Sequence, residues 1–233
     1  MIDREIFSSA FLNADCMEVM KNYPDNFFDL AIVDPVWKPT GGGYTTGKYS
    51  GTKMSQNSMA YERDYHVSLW QQKKTGKAYF DELFRVSKNQ IIWGANYFSE
   101  EIGRNSQGWI VWNKNNGTTK FTDCELAYTS FNIATRMFTY TWNGMIQEDM
   151  QNKEERIHPT QKPVALYRWI LERYAKPGDI ILDTHVGSAS SLIACHQTGH
   201  RYLGTEIDEV YYEQAKKRLE AEEAQTTIYD FIE

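Results

Sequence analysis

The 233-residue sequence predicts one α/β domain built on a mostly parallel sheet. Three features point there. Apolar runs at 29–34 (DLAIVD) and 179–183 (DIILD) each end in a carboxylate, as buried parallel strands do. Segments of helical period alternate with such runs. A small-residue turn at 183–190 (DTHVGSAS) joins a strand directly to a helix.

Taken in order, residues 11–14 read as a short strand, 15–22 as a short helix and 29–34 as the first long strand. Residues 77–86 are amphipathic, with Phe80, Leu83 and Phe84 on one face, which predicts a helix. Runs 90–93, 109–112 and 125–131 read as strands, and 137–142 as a weaker one. Helix 163–174 starts on Pro163, a residue suited to a first turn. Strand 179–183, helix 190–197, strand 202–206 and helix 209–224 complete the alternation. Two stretches break it, 38–76 and 143–157. The first is rich in Gly, Thr, Ser, Lys and Tyr, and a loop that long in one domain is expected to be functional or mobile.

Composition removes several classes. Hydrophobic residues make up 41% and charged residues 24%, ordinary for a soluble globular chain. No apolar run approaches a membrane span, and the N-terminus lacks the basic-then-apolar order of a signal peptide. Cys16, Cys124 and Cys195 cannot all pair and match no zinc spacing, which suggests a reducing, cytoplasmic setting. His196 and His200 share a helix face but Cys195 does not, so no metal site is expected.

The net charge of −6 argues against a surface that binds nucleic acid everywhere. It averages two unlike segments. Residues 38–77 hold seven basic and two acidic side chains, whereas 201–233 hold four basic and nine acidic.

Three motifs carry chemistry. The 183–190 turn lets a ligand approach backbone N–H groups at a helix start, and Glu206, ending the next strand, suits ribose hydroxyls. Together they suggest a nucleoside-containing cofactor, or else a plain strand–helix–strand unit. Asp34-Pro35-Val36-Trp37 combines a carboxylate, a rigid proline and a large aromatic at a strand end, a pocket for a flat polar ring or simply a capped turn. His158-Pro159-Thr160-Gln161-Lys162-Pro163 is more specific than a helix entry requires.

With these motifs the sequence resembles the DNA amino-methyltransferases that use S-adenosylmethionine to modify adenine N6 or cytosine N4. It is most similar to their permuted beta arrangement, which has many phage-encoded members. DPVW matches the family's D-P-P-[YFW], HPTQKP matches its cofactor motif unchanged, and DTHVGSAS matches D-x-x-x-G-S-G-[TS]. The resemblance runs from Asn13 to Tyr211. Val36 replaces the second proline and Ala189 the second glycine; a methyl group at 189 is harmless only if φ there is negative.

The resemblance implies a Rossmann-like methyltransferase fold with an antiparallel strand and permuted motif order. It implies that Asp34 and the Pro35 carbonyl accept the target amine's N–H groups while Trp37 stacks on a flipped-out base. It implies Asp183, Thr184, Gly187 and Ser188 around the cofactor's methionine part, Glu206 on the ribose and Asp15 near the adenine. Thr160, Gln161 and Lys162 are expected near the methionine carboxylate.

Adenine N6 in double-stranded DNA is the expected target. Cytosine N4 is the alternative, and Val36 and Ala189 leave open a catalytically weak DNA-binding homologue or partner subunit. A nicotinamide oxidoreductase fits HPTQKP poorly. DNA contact is expected from the basic, aromatic-rich 38–77 loop, through Lys38, Lys48, Lys53, Lys73 and Lys74. A restriction–modification role and the oligomeric state, homodimer included, stay open. Tyr97, Phe98 and Tyr128 are offered as a second pocket wall or as core.

Overall fold

The structure, a computed structural model, describes residues 3–37, 74–117, 122–143 and 146–229, with side chains to 225. Lys38, Lys48, Lys53 and Lys73 lie outside the described residues, as does all of the 38–77 loop before Lys74.

The chain runs β1 (Ala10–Asn13), α1 (Cys16–Met20), β2 (Phe28–Val33), α2 (Lys77–Val86) and β3 (Ser87–Trp93). After a 3-10 turn at Ala95–Tyr97 come α3 (Ser99–Ile102), β4 (Trp109–Asn113), β5 (Cys124–Thr129) and β6 (Arg136–Thr139). A small hairpin, β7 (Trp142–Asn143) and β8 (Ile146–Gln147), precedes α4 (Val164–Tyr174), β9 (Ile180–Asp183), α5 (Ser190–Gln197), β10 (Arg201–Glu206) and α6 (Glu209–Tyr229).

Eight strands form one sheet in the order β1-β10-β9-β2-β3-β5-β4-β6. Only β5 runs against its neighbours; the remaining pairs are parallel. Strand β2 is buried on both faces, which is why it reads as a continuous apolar run. Its Leu30 and Ile32 pack under α4, α5 and α6 with Leu166, Ile170 and Leu192. Its Ala31 and Val33 face α1 and α2, with Met20, Phe80 and Leu83. Each such large side chain taken from water contributes about 1.5–3 kcal/mol.

This layering places the site. The β2–α2–β3 connection covers one face of the sheet, and β9–α5–β10 covers the other. Strands β2 and β9 are direct neighbours, with Ala31 opposite Leu182. Connections that leave adjacent strands toward opposite faces open a crevice at the strands' C-terminal ends, where ligands of open α/β sheets bind.

Strand β3 begins three residues earlier than the apolar pattern predicts. Ser87 and Gln90 are polar but buried: Ser87 Oγ donates to the Leu83 carbonyl at 2.5 Å, and Gln90 Nε2 to the Ser87 carbonyl at 2.7 Å. The weak strand expected at 137–142 splits into β6 and β7. The irregular 143–157 stretch contains β8 and is folded back by Gln147, whose amide exchanges hydrogen bonds with the Glu154 backbone at 2.8 Å each. Among the described residues no helix is long and apolar enough to cross a membrane, and no three potential ligand side chains cluster for a metal.

Candidate active site

Four strand ends deliver carboxylates to one edge of the sheet: Asp15 after β1, Asp34 after β2, Asp183 ending β9 and Glu206 ending β10. A cleft of about 170 Å³ opens between Asp15 and Glu206, lined also by Cys16, Val36, Thr75, Thr184 and His185.

The 183–190 turn is tightly wired. Asp183 accepts the His185 N–H at 2.9 Å and the Ser191 hydroxyl at 2.5 Å, and burial pushes its carboxyl up to about 7. Glu206 accepts N–H groups from Gly187 and Asp208, each at 2.9 Å, and burial raises its pKa as well. Thr184 Oγ1 bridges Tyr79 Oη (2.5 Å) and His185 Nδ1 (2.9 Å). Burial lowers both His185 and His158 to about 4, so both rings are neutral near pH 7. Ser188 is buried, its hydroxyl 3.0 Å from that of Ser190. Arg218 of α6 donates to the Ser188 carbonyl at 2.7 Å and pairs with Glu154 at 2.5 Å. One basic residue of the acidic C-terminal segment therefore points inward and braces the turn.

Ala189 occupies the left-handed region, with φ +63°. The condition for a harmless methyl group is thus not met, and the turn carries strain of about 1–2 kcal/mol that glycine would avoid.

At the end of β2, Asp34 Oδ2 receives a hydrogen bond from Lys162 Nζ, whereas Asp34 Oδ1 is buried without a partner. Lys162 Nζ also lies 3.1 Å from Glu125 Oε2, and Lys114 bonds the other oxygen of Glu125. Four charges alternate in sign from Lys114 to Asp34. Burial raises the pKa of Asp34 and outweighs the opposing pull of Lys162. For Glu125 burial acts the same way, but two lysines more than offset it, and its pKa is lowered. Burial alone would discharge Lys162, but Asp34 and Glu125 hold it above the usual lysine range.

The polar side chains of HPTQKP have partners within the protein. Lys162, expected near a cofactor carboxylate, has a side chain only 3% exposed and is held by Asp34 and Glu125. Gln161 is a structural clasp: its amide donates to the Glu155 carbonyl (3.0 Å) and accepts from the Ile157 N–H (2.9 Å), and its own carbonyl accepts from Trp142 Nε1 (2.8 Å). Thr160 is exposed and its hydroxyl lies 3.1 Å from His158 Nδ1. Buried polar groups that already have protein partners leave little to offer a ligand. Asp15 caps α1 by accepting the Met17 N–H at 2.8 Å.

Trp37 stacks on Tyr97, which is 48% exposed, while Phe98 and Tyr128 are buried in the core. Lys74 pairs with Glu101 at 2.6 Å and lies over the Phe98 ring. Glu125, Lys114, Tyr79 and Arg218 carry no sequence signal that marks them as part of the site.

A doubly wound sheet with a turn-and-carboxylate crevice is the architecture of a nucleoside-cofactor enzyme, and a buried carboxylate followed by Pro35 and Trp37 adds a place for a flat amine-bearing ring. The chain belongs to the DNA methylase family N6_N4_Mtase, whose model matches residues 30–217. It is 26% identical to the Type II methyltransferase M.HpaI of Haemophilus parainfluenzae, over 90% of this chain and 73% of that protein. It is 25% identical to M.HinfI of Haemophilus influenzae, over 91% of this chain and 68% of that one. Solved structures share the fold. The M1.HpyAVI–SAM complex aligns with TM-score 0.54 at 22% identity, covering 89% of this chain and 98% of its own. The cytosine-N4-specific PvuII DNA methyltransferase aligns at 0.56 and 11%, covering 96% and 92%.

Proposed function

We propose that this protein transfers a methyl group from S-adenosylmethionine to the N6 amine of adenine in DNA. The observation that carries the reading is the bare, buried Asp34 Oδ1 just past the C-terminal end of β2, two residues before the cleft-lining Val36. A buried acceptor without a donor is costly unless a ligand supplies one.

An exocyclic amine is a weak nucleophile because its lone pair is delocalised into the ring. Asp34 Oδ1 would accept one N–H and the Pro35 carbonyl the other, drawing the lone pair out of conjugation. Trp37 would pack against the ring. The base has to leave the duplex to reach this edge. Once the amine is alkylated, Asp34 is placed to take its proton.

The cleft fits the cofactor. Asp15, Thr184 and Glu206 line it, and Asp183 and Glu206, each accepting a backbone N–H of the 183–190 turn, hold that turn open to a nucleoside–amino-acid ligand. Asp15, Thr184, Gly187 and Ser188 would complete the cradle. When bound, S-adenosylmethionine supplies a methyl group on a sulfonium leaving group. The 38–77 loop, with Lys74 at its end, is proposed to meet the DNA phosphates.

D-P-P-[YW] forms lean towards adenine within the family, and DPVW departs from them only at Val36. Cytosine N4 is the second reading, because the same two acceptors serve either amine and the PvuII neighbour is cytosine-specific. The Type II relatives support modification at a defined site. Sequencing that detects modified bases, run on DNA from cells expressing the protein, tests this. N6-methyladenine is expected; N4-methylcytosine would reassign the base, and no modified base would overturn the methyltransferase reading.

A further inference from the structure

We infer that Glu125 is a positioning residue for the transfer reaction: it shares Lys162 with Asp34, so that Asp34 is pinned through one oxygen while the other keeps the basicity to take the amine's proton. The inference rests on the methyltransferase reading above and adds a residue outside its motifs.

The argument starts from charge balance. Lys162 brings one positive charge to two buried carboxylates. Lys114 supplies the second, but it bonds Glu125 alone. Glu125 is thus the more heavily compensated of the pair. Asp34 has half a lysine and one oxygen with no donor. The two carboxyls are accordingly driven in opposite directions, Glu125 down and Asp34 up. Two neighbouring carboxyls separated in this way mark one as a fixed charge and the other as the group that exchanges a proton.

Remove the Glu125 charge and Lys162 belongs to Asp34 alone, which weakens Asp34 as a base. Remove Lys162 and the two carboxylates face one another, which raises Asp34 further. The other charged or titratable groups facing Asp34 are Lys114 just after β4, Asp183 of β9, Tyr79 of α2 and Tyr167 of α4. None of them touches Lys162 in place of Glu125.

The step balances without a further reactant. The alkylated amine's N–H bond breaks, an O–H bond forms at Asp34 Oδ1, and the positive charge leaves the base. The four-group network passes from neutral to a net +1, which favours release of the proton to solvent once product departs.

The test is kcat against pH on DNA for Glu125→Gln, Glu125→Asp and Lys162→Gln, with cofactor affinity by calorimetry. Glu125→Gln is expected to move the acidic limb down by about one pH unit and lower plateau kcat about tenfold, with cofactor Kd unchanged. Glu125→Asp should restore the limb, and Lys162→Gln should move it upward. Should Lys162→Gln fail to fold, the two Glu125 variants decide alone. An acidic limb in Glu125→Gln at the wild-type position would overturn the inference, whether or not kcat falls. A wild-type protein that methylates no DNA would sink the methyltransferase reading itself; an active wild type with an unshifted Glu125→Gln sinks only this inference.

Discussion

Trp37 and Tyr97 stack face to face, their ring centroids 4.5 Å apart and their planes within 12° of parallel. The indole also presses on Gly94, whose φ is +65°, and a Cβ built there would come within 2.6 Å of Trp37 Cδ1. Two constraints, a stacking partner and a missing side chain, fix the aromatic that follows Asp34.

Gly94→Ala should therefore displace the indole. Methyl transfer to DNA is expected to fall at least about tenfold, since small misplacements of positioning groups are costly. Cofactor affinity by calorimetry should stay at the wild-type level, because Gly94 lies outside the cleft lining. Unchanged transfer would show that the Trp37 position does not matter.

Ala189→Gly should stabilise the protein. Relief of the left-handed alanine contributes about 1–2 kcal/mol, and the extra freedom of glycine in the unfolded chain takes back about 0.5–1. A gain of up to about 1.5 kcal/mol in urea unfolding is expected, with the helix at Ser190–Gln197 intact. A loss of stability would mean the turn is not strained as its φ indicates.

Asp183 titrates near 7 in the folded chain and at 3.8 when unperturbed. Between those values the folded state holds a proton that the unfolded state has lost. Its contribution to stability is complete below about pH 4 and disappears as pH rises through 7. Asp183→Asn should remove this slope, so the stability of the variant relative to wild type rises from pH 4 to 7. Parallel unfolding curves for the two proteins across that range would refute the assignment.

Asp34→Ala should abolish transfer, by about a thousandfold or more, while cofactor affinity changes little. Lys162 keeps Glu125 as a partner, so the variant leaves no lone buried cation. Equal loss of cofactor binding would place the reacting edge elsewhere.

Much of the fold was legible in the residues. Both apolar runs that end in Asp34 and Asp183 are strands, the 77–86 and 190–197 helices keep their expected bounds, and the antiparallel strand is β5. Polar positions were harder to read. Ser87 and Gln90 belong to a buried strand because each finds a backbone partner, something hydropathy does not record. Lys162 shows the same limit, because a lysine beside a helix entry reads as solvated until its partners, Asp34 and Glu125, are known.

The sequence by itself determined which segments pair apolar faces and which motifs stand at strand ends, since both depend on near neighbours in the chain. Only the tertiary structure decided that Lys162 meets Asp34 across 128 residues, that Glu125 joins them from β5, and that Ala189 takes a positive φ. The physical reason is the same in each case. A buried charge is stable only beside a compensating one, and which distant side chain provides it depends on strand order and register rather than on local pattern.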